Sequence, residues 1–186
     1  MARKDIGAPD VDLSCTLNNR GELAEAAATL ASKGAAVQDV GRSAVMACLG
    51  DAGARNRVLE ALASPSDADV RIAQAYLRQR PLTDASELRV VTRAVAGMNA
   101  PEAQTRALDV LGRHYLSDHE SVDTLKQLFA KTRSMAVQNA IAGVLIRADR
   151  SVKSPELLRT LRESRLRASS GDTLVDALIA QMQSLS

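Results

Sequence analysis

From about residue 22 to the carboxyl end, apolar residues recur three or four positions apart, and no segment sustains the period-two alternation of a half-buried strand. The pattern predicts an all-α chain. Gly34, Gly50 to Gly53, Ser64-Pro65-Ser66, Pro81, Asn99-Ala100-Pro101, Ser117-Asp118, Arg133-Ser134, Ser151 to Pro155 and Ser169-Ser170-Gly171 interrupt it. The helices these breaks delimit are 21–33, 36–49, 54–63, 67–79, 84–98, 101–115, 119–131, 134–147, 155–166 and 172–184. Pro101 and Pro155 suit a first helical turn, where a missing N–H is tolerated, and Ser154 suits the N-cap. Ser117, followed three residues on by Glu120, offers a reciprocal cap. Residues 1–19 carry no helical pattern and read as an irregular leader before a single repeat domain at 20–186.

Short connections fold successive helices into about five antiparallel pairs. The second helix of each pair carries a ridge of small or apolar residues, whose middle members Ala44, Ala73, Ala107, Ile141 and Leu178 recur 29, 34, 34 and 37 residues apart. The first helices supply matching stripes, such as Leu88, Val91 and Val95, then Leu125, Leu128 and Phe129. A lone pair cannot hide all of this from water, so stacking into an α-solenoid is the expected arrangement, with a compact helical bundle as its competitor.

The residues at the heart of the repeat resemble HEAT repeats, including the short variety of phycobilin-lyase-like proteins. Ser64 to Leu77, with its Pro/Asp turn before Val70-Arg71, looks like the family's turn and second helix, and so do Asn99 to Gly112 and Ala136 to Leu145. In outline the resemblance covers residues 22–184. It implies a HEAT-like superhelix whose second helices line a concave face for a partner segment. The family's repeated Arg, which should follow the first ridge residue, is replaced here by Gly41, Val70, Gln104, Gln138 and Val175.

Composition narrows the chemistry. Lys and Arg number 24 against 22 Asp and Glu, so any basic site must be local rather than a property of the whole surface. Aromatic residues make up 2% of the chain, against the stacking platforms and wedges that single-strand binders and base-extruding enzymes need. No stretch approaches the ~18 apolar residues of a membrane span, and residues 1–20 lack a signal-like apolar centre. Cys15 and Cys48 are too few for a disulfide framework, cannot be identified as a pair from sequence, and make a reducing, cytoplasmic setting the default; Cys48, on an apolar ridge, reads as a buried inert thiol.

No catalytic constellation emerges. His114 and His119 lie five apart across a helix break, unlike the one-face spacing of zinc-binding helices, and Gly50-Asp51-Ala52-Gly53 lacks the Gly-Lys-Ser/Thr of a phosphate loop. The expectation is a non-catalytic protein-interaction or scaffold module without cofactor or metal. Transferred by position from the resembling family, Arg71, Gln74, Arg78, Arg106, Asp109, Arg113 and Gln138 are the side chains that would face a protein or peptide partner. The alternatives are nucleic-acid binding through a basic stripe of Arg159, Arg162 and Arg165, whose bland reading is a solvated face, and a bilin lyase or chaperone by analogy with one branch of the family.

Overall fold

The computed structural model describes Cys15, residues 40–167 and residues 173–185. Among these residues it is all-helical, with no strand: α1 Val40–Cys48, α2 Ala52–Ala61, α3 Asp67–Gln79, α4 Ala85–Ala96, α5 Pro101–Leu111, α6 His119–Lys131, α7 Met135–Ile146, α8 Pro155–Ser164 and α9 Leu174–Gln183. A 3-10 turn, Arg150–Val152, separates α7 from α8. The expected helix 21–33, the first residues of 36–49 and the leader 1–19, Cys15 excepted, lie outside the described residues.

Side-chain caps start most of these helices. Asp51, Ser66, Asp84, Asp118, Ser134, Ser154 and Thr173 each accept the backbone N–H of the residue three positions on. Each such cap is worth about 1 kcal/mol. Helix α5 starts on Pro101 and has no side-chain cap. At α6 the cap is Asp118 rather than Ser117, and Glu120 turns away from the helix start to accept hydrogen bonds from Arg89 and Arg93. A carboxylate with two guanidinium partners on the preceding hairpin gains more from them than from one backbone amide.

The chain divides by its packing into two compact units, Met1–Thr83 and Asp84–Ser186. In the first, α1 packs on α2 and α3, and α2 packs on α3, around Ala44, Val58, Leu59, Leu62 and Tyr76. Arg55 of α2 reaches the far end of α3, donating to the Tyr76 hydroxyl at 2.9 Å and to the carbonyls of Arg80 and Pro81 at 3.1 and 2.8 Å. Cys48 is joined to Cys15 by a disulfide, with Cα atoms 5.1 Å apart. This corrects the expectation of an inert thiol, and with it goes the ground on which a reducing compartment was expected.

In the second unit the packing has a regular order. Helices α4, α6 and α8 form one row, each touching the next, and α5, α7 and α9 form another. The hairpin partners α4 with α5, α6 with α7 and α8 with α9 join the rows. Leu108, Leu111, Leu125, Phe129, Ile141, Leu145, Leu161 and Leu178 fill the space between and are fully buried. Most of the side chains that meet there are small or aliphatic, with one phenyl ring, which lets the helices come close.

Two glutamines inside this core do the same job one repeat apart. Gln104 Nε2 donates to the carbonyl of Val95, and Gln138 Nε2 to that of Phe129, in each case nine residues back at the end of the preceding helix. Gln104 also reaches the carbonyl of Met98; Gln138 reaches that of Ser164 and accepts the Leu166 N–H, so it binds the end of α6 to the end of α8. The position that the resembling family fills with Arg is thus filled by an uncharged amide that satisfies helix-end carbonyls without burying a charge. Gln138→Ala should cost about 2 kcal/mol or more in urea denaturation, because three polar groups lose their partner. Arg93→Ala, on the exposed face, should cost well under ~1 kcal/mol in the same measurement.

Candidate functional site

The row α5, α7, α9 bears a cleft of about 550 Å³. Its floor follows from the composition of α7, Met-Ala-Val-Gln-Asn-Ala-Ile-Ala-Gly-Val-Leu-Ile, which contains no charged residue. Val137, Ile141, Val144 and Leu145 turn inward, leaving Ala140 and Gly143 to face out as a low, apolar surface. Gly143 is small for a reason: a Cβ there would stand 3.2 Å from Leu174 Cδ1, so its absence lets the first residue of α9 lie against α7. Leu174 is pinned by its backbone N–H, which donates to Asn139 Oδ1 at 2.9 Å, yet its side chain remains 42% exposed at the cleft.

Charge sits on the rim. Asp109, on α5, and Arg113, four residues on and just past the helix end, stand 3.7 Å from each other, and both are largely exposed. Arg147, at the end of α7, uses Nη1 to hold the carbonyl of Gly112 at 3.2 Å, tying the ends of α5 and α7 together. Beyond them the Tyr115 hydroxyl donates to the Asp149 carboxylate, and the Asp149 N–H donates to the Leu116 carbonyl at 2.7 Å. Asp149 also accepts from the hydroxyl and backbone N–H of Ser151. These donors, Ser151 first and Tyr115 next, favour the ionised form and hold its carboxyl at about 2. The Tyr115 hydroxyl is correspondingly pushed above its ordinary range by that hydrogen bond.

The opposite row differs in kind. Arg89 of α4 pairs with Asp118 and Glu120, Arg93 pairs with Glu120, and Lys126 of α6 pairs with Asp123 and with Glu156 of α8. Arg93 above all holds the Glu120 carboxyl below its usual range, and Asp123 holds the Lys126 ammonium above its own. Exposed pairs of this sort contribute about 0–1 kcal/mol each, so they mark a face whose charges answer one another rather than one that holds the fold together.

The residues singled out from sequence fall in several places. Arg71, Gln74 and Arg78 lie along one face of α3 in the first unit, with both arginines exposed. Arg106 and Asp109 of α5 and Arg113, just past its end, lie on the second unit, all exposed. Gln138 does not project toward a partner: it is 3% exposed, and the core hydrogen bonds already described engage its amide. The basic row is also shorter than expected. Arg159 and Arg162 are exposed on α8, but Arg165 pairs with Asp176 of α9 and donates to the Arg167 carbonyl. His114 is partly buried, which together with neighbouring Arg113 disfavours its protonation. Among the described residues no group of three His, Cys, Asp or Glu side chains could hold a metal ion, and no helix is long and apolar enough to cross a membrane.

Arg147, Gly143 and Leu174 escaped the reading from sequence as parts of one surface. The signal for Arg147 was present, since it follows Arg113 at the 34-residue repeat spacing. No protein-family model, no curated protein and no solved structure matches the chain.

The Tyr115 and Asp149 contact sets a titration. A depressed carboxyl contributes stability that is present above the ordinary carboxylate range and is lost as pH falls toward about 2. In an NMR titration of the side-chain carboxyls, Asp149 should therefore titrate below the ordinary aspartate range, and Tyr115→Phe should move its midpoint upward. A midpoint that Tyr115→Phe leaves in place would remove the phenol from the account.

Proposed function

We propose that this chain is a non-catalytic helical-repeat module, a HEAT-like α-solenoid in its second unit, which holds an extended segment of a partner protein along the outward face of its second helices. The observation behind this reading is the contrast between the two rows of Asp84–Ser186. On one, acids and bases of successive hairpins pair with each other. On the other, a cleft floored by Ala140, Gly143 and Leu174 is left open to solvent, with Arg113 and Arg147 at its rim.

Apolar floor and charged rim have separate roles in this reading. Burying aliphatic surface over the floor contributes affinity at roughly 25 cal/mol per Å² before ordering costs, while the arginines select and orient. Arg113 and Arg147 outnumber Asp109 at the cleft, so the segment that fits carries carboxylates beside small apolar side chains. A guanidinium can meet a carboxylate with two parallel hydrogen bonds, which fixes direction as well as charge.

A bulky photo-crosslinking residue placed at Ala140 should capture the partner, whereas one placed at Gln127, exposed on the other row, should not. Ala140→Trp, which fills the cleft without touching the core, should weaken binding about tenfold or more while helical circular dichroism is retained. Crosslinks concentrated at Gln127, or binding indifferent to Ala140→Trp, would place the partner elsewhere.

A further inference from the structure

The ends of the three described helices of the first unit meet at one junction. Cys48 is the last residue of α1 and is bonded to Cys15, which lies 33 residues earlier in the chain. The carbonyl of Cys15 accepts a hydrogen bond from Arg80 Nη2 at 2.6 Å, and Arg80 is the residue that closes α3. Arg55, from α2, donates to the Arg80 carbonyl and to that of Pro81 beside it. Both half-cystines are buried, at 4% and 7% exposure. Cys15 is thus held at two points, covalently to the end of α1 and through a charge-assisted hydrogen bond to the end of α3.

We propose that the Cys15–Cys48 bridge is a redox latch on the first unit: oxidised, it locks α1 and α3 to the segment that carries Cys15; reduced by a dithiol, it releases that segment and loosens both helices. The second unit contains no cysteine and does not respond. In the reductive step one thiolate of the dithiol attacks a bridge sulfur, the sulfur–sulfur bond breaks, and a mixed disulfide forms. The second thiol resolves it. Two electrons and two protons end on Cys15 and Cys48 as thiols, and the dithiol becomes a cyclic disulfide.

The cross-link matters because of what it closes. Joining residues this far apart restricts the unfolded chain, so its loss shifts the opening equilibrium of α1 and α3 by roughly ten- to a hundredfold. Burial of both sulfurs means that attack follows a local opening of the junction, so the latch responds slowly and to a strong reductant.

The test uses the full chain and no partner, so it stands apart from the docking experiment. Protein purified without reductant is denatured and alkylated with iodoacetamide before and after dithiothreitol, and its intact mass is read. The expected result is no added group before and two after. Hydrogen exchange by mass spectrometry then compares the two states of the native chain. Protection in α1 and α3 should fall by about ten- to a hundredfold on reduction, return on reoxidation, and match that of Cys15→Ser/Cys48→Ser, while α4 to α9 exchange as before. Free thiols in the oxidised preparation, unchanged protection in α1 and α3, or equal loosening of α4 to α9 would each overturn the proposal.

Discussion

Each helix of Asp84–Ser186 carries more apolar surface than its hairpin partner can cover, and that surplus is what the arrangement of the unit depends on. Helix α7 shows it plainly: it touches α6 within its hairpin, α5 on one side and α9 on the other. Val137, Ile141, Ala142, Val144 and Leu145 are all removed from water as a result. Removing that much aliphatic surface from solvent is a gain no single neighbour could provide. The side chains involved are small and rarely aromatic, so the close fit is achieved by short helix-to-helix distances and not by large interlocking groups.

From this close packing follows the difference between the two faces. Where α5, α7 and α9 lie side by side, their outward residues are Ala140, Gly143 and Thr105, too short to fill the space between the helices, and a cleft is left. Where α4, α6 and α8 lie side by side, long charged side chains reach across and meet. A surface covered by paired charges holds its water and its counterions and offers little gain to an incoming chain. A surface of exposed aliphatic floor with guanidinium at its edge offers gain on both counts, which is why the docking reading is placed there and not on α8.

The helices were legible because period and punctuation agree: the cap Ser154, prolines at Pro101 and Pro155, and apolar spacing all mark the same boundaries. The 34-residue recurrence of the second-helix ridge likewise matches the α5 and α7 that the fold sets side by side. Gln138 was misjudged because a polar residue within an apolar stripe has two physical solutions, solvent or a buried partner. Local sequence does not show that Ser164 and Leu166, more than 20 residues on, come back to meet it. The same holds for Arg165, whose partner Asp176 belongs to the next helix, and for Cys15, whose partner is 33 residues away. Local rules read helices well; pairings across a repeat depend on the packed geometry.

The two units also solve the problem of stability by different means. The described helices of Asp84–Ser186 are six, in two rows around an aliphatic core, with the middle hairpin covered on both sides. The described helices of Met1–Thr83 are three, α1 among them from Val40, where the described stretch begins. Small units rarely bury enough apolar surface to offset chain entropy by packing alone, and cross-links or long-range polar ties make up the difference. Arg55, gripping the end of α3 from α2, is one such tie, and Arg80, gripping the Cys15 carbonyl, is another. The disulfide at the same junction is the covalent member of that set. It lies in the first unit, and the second contains no cysteine.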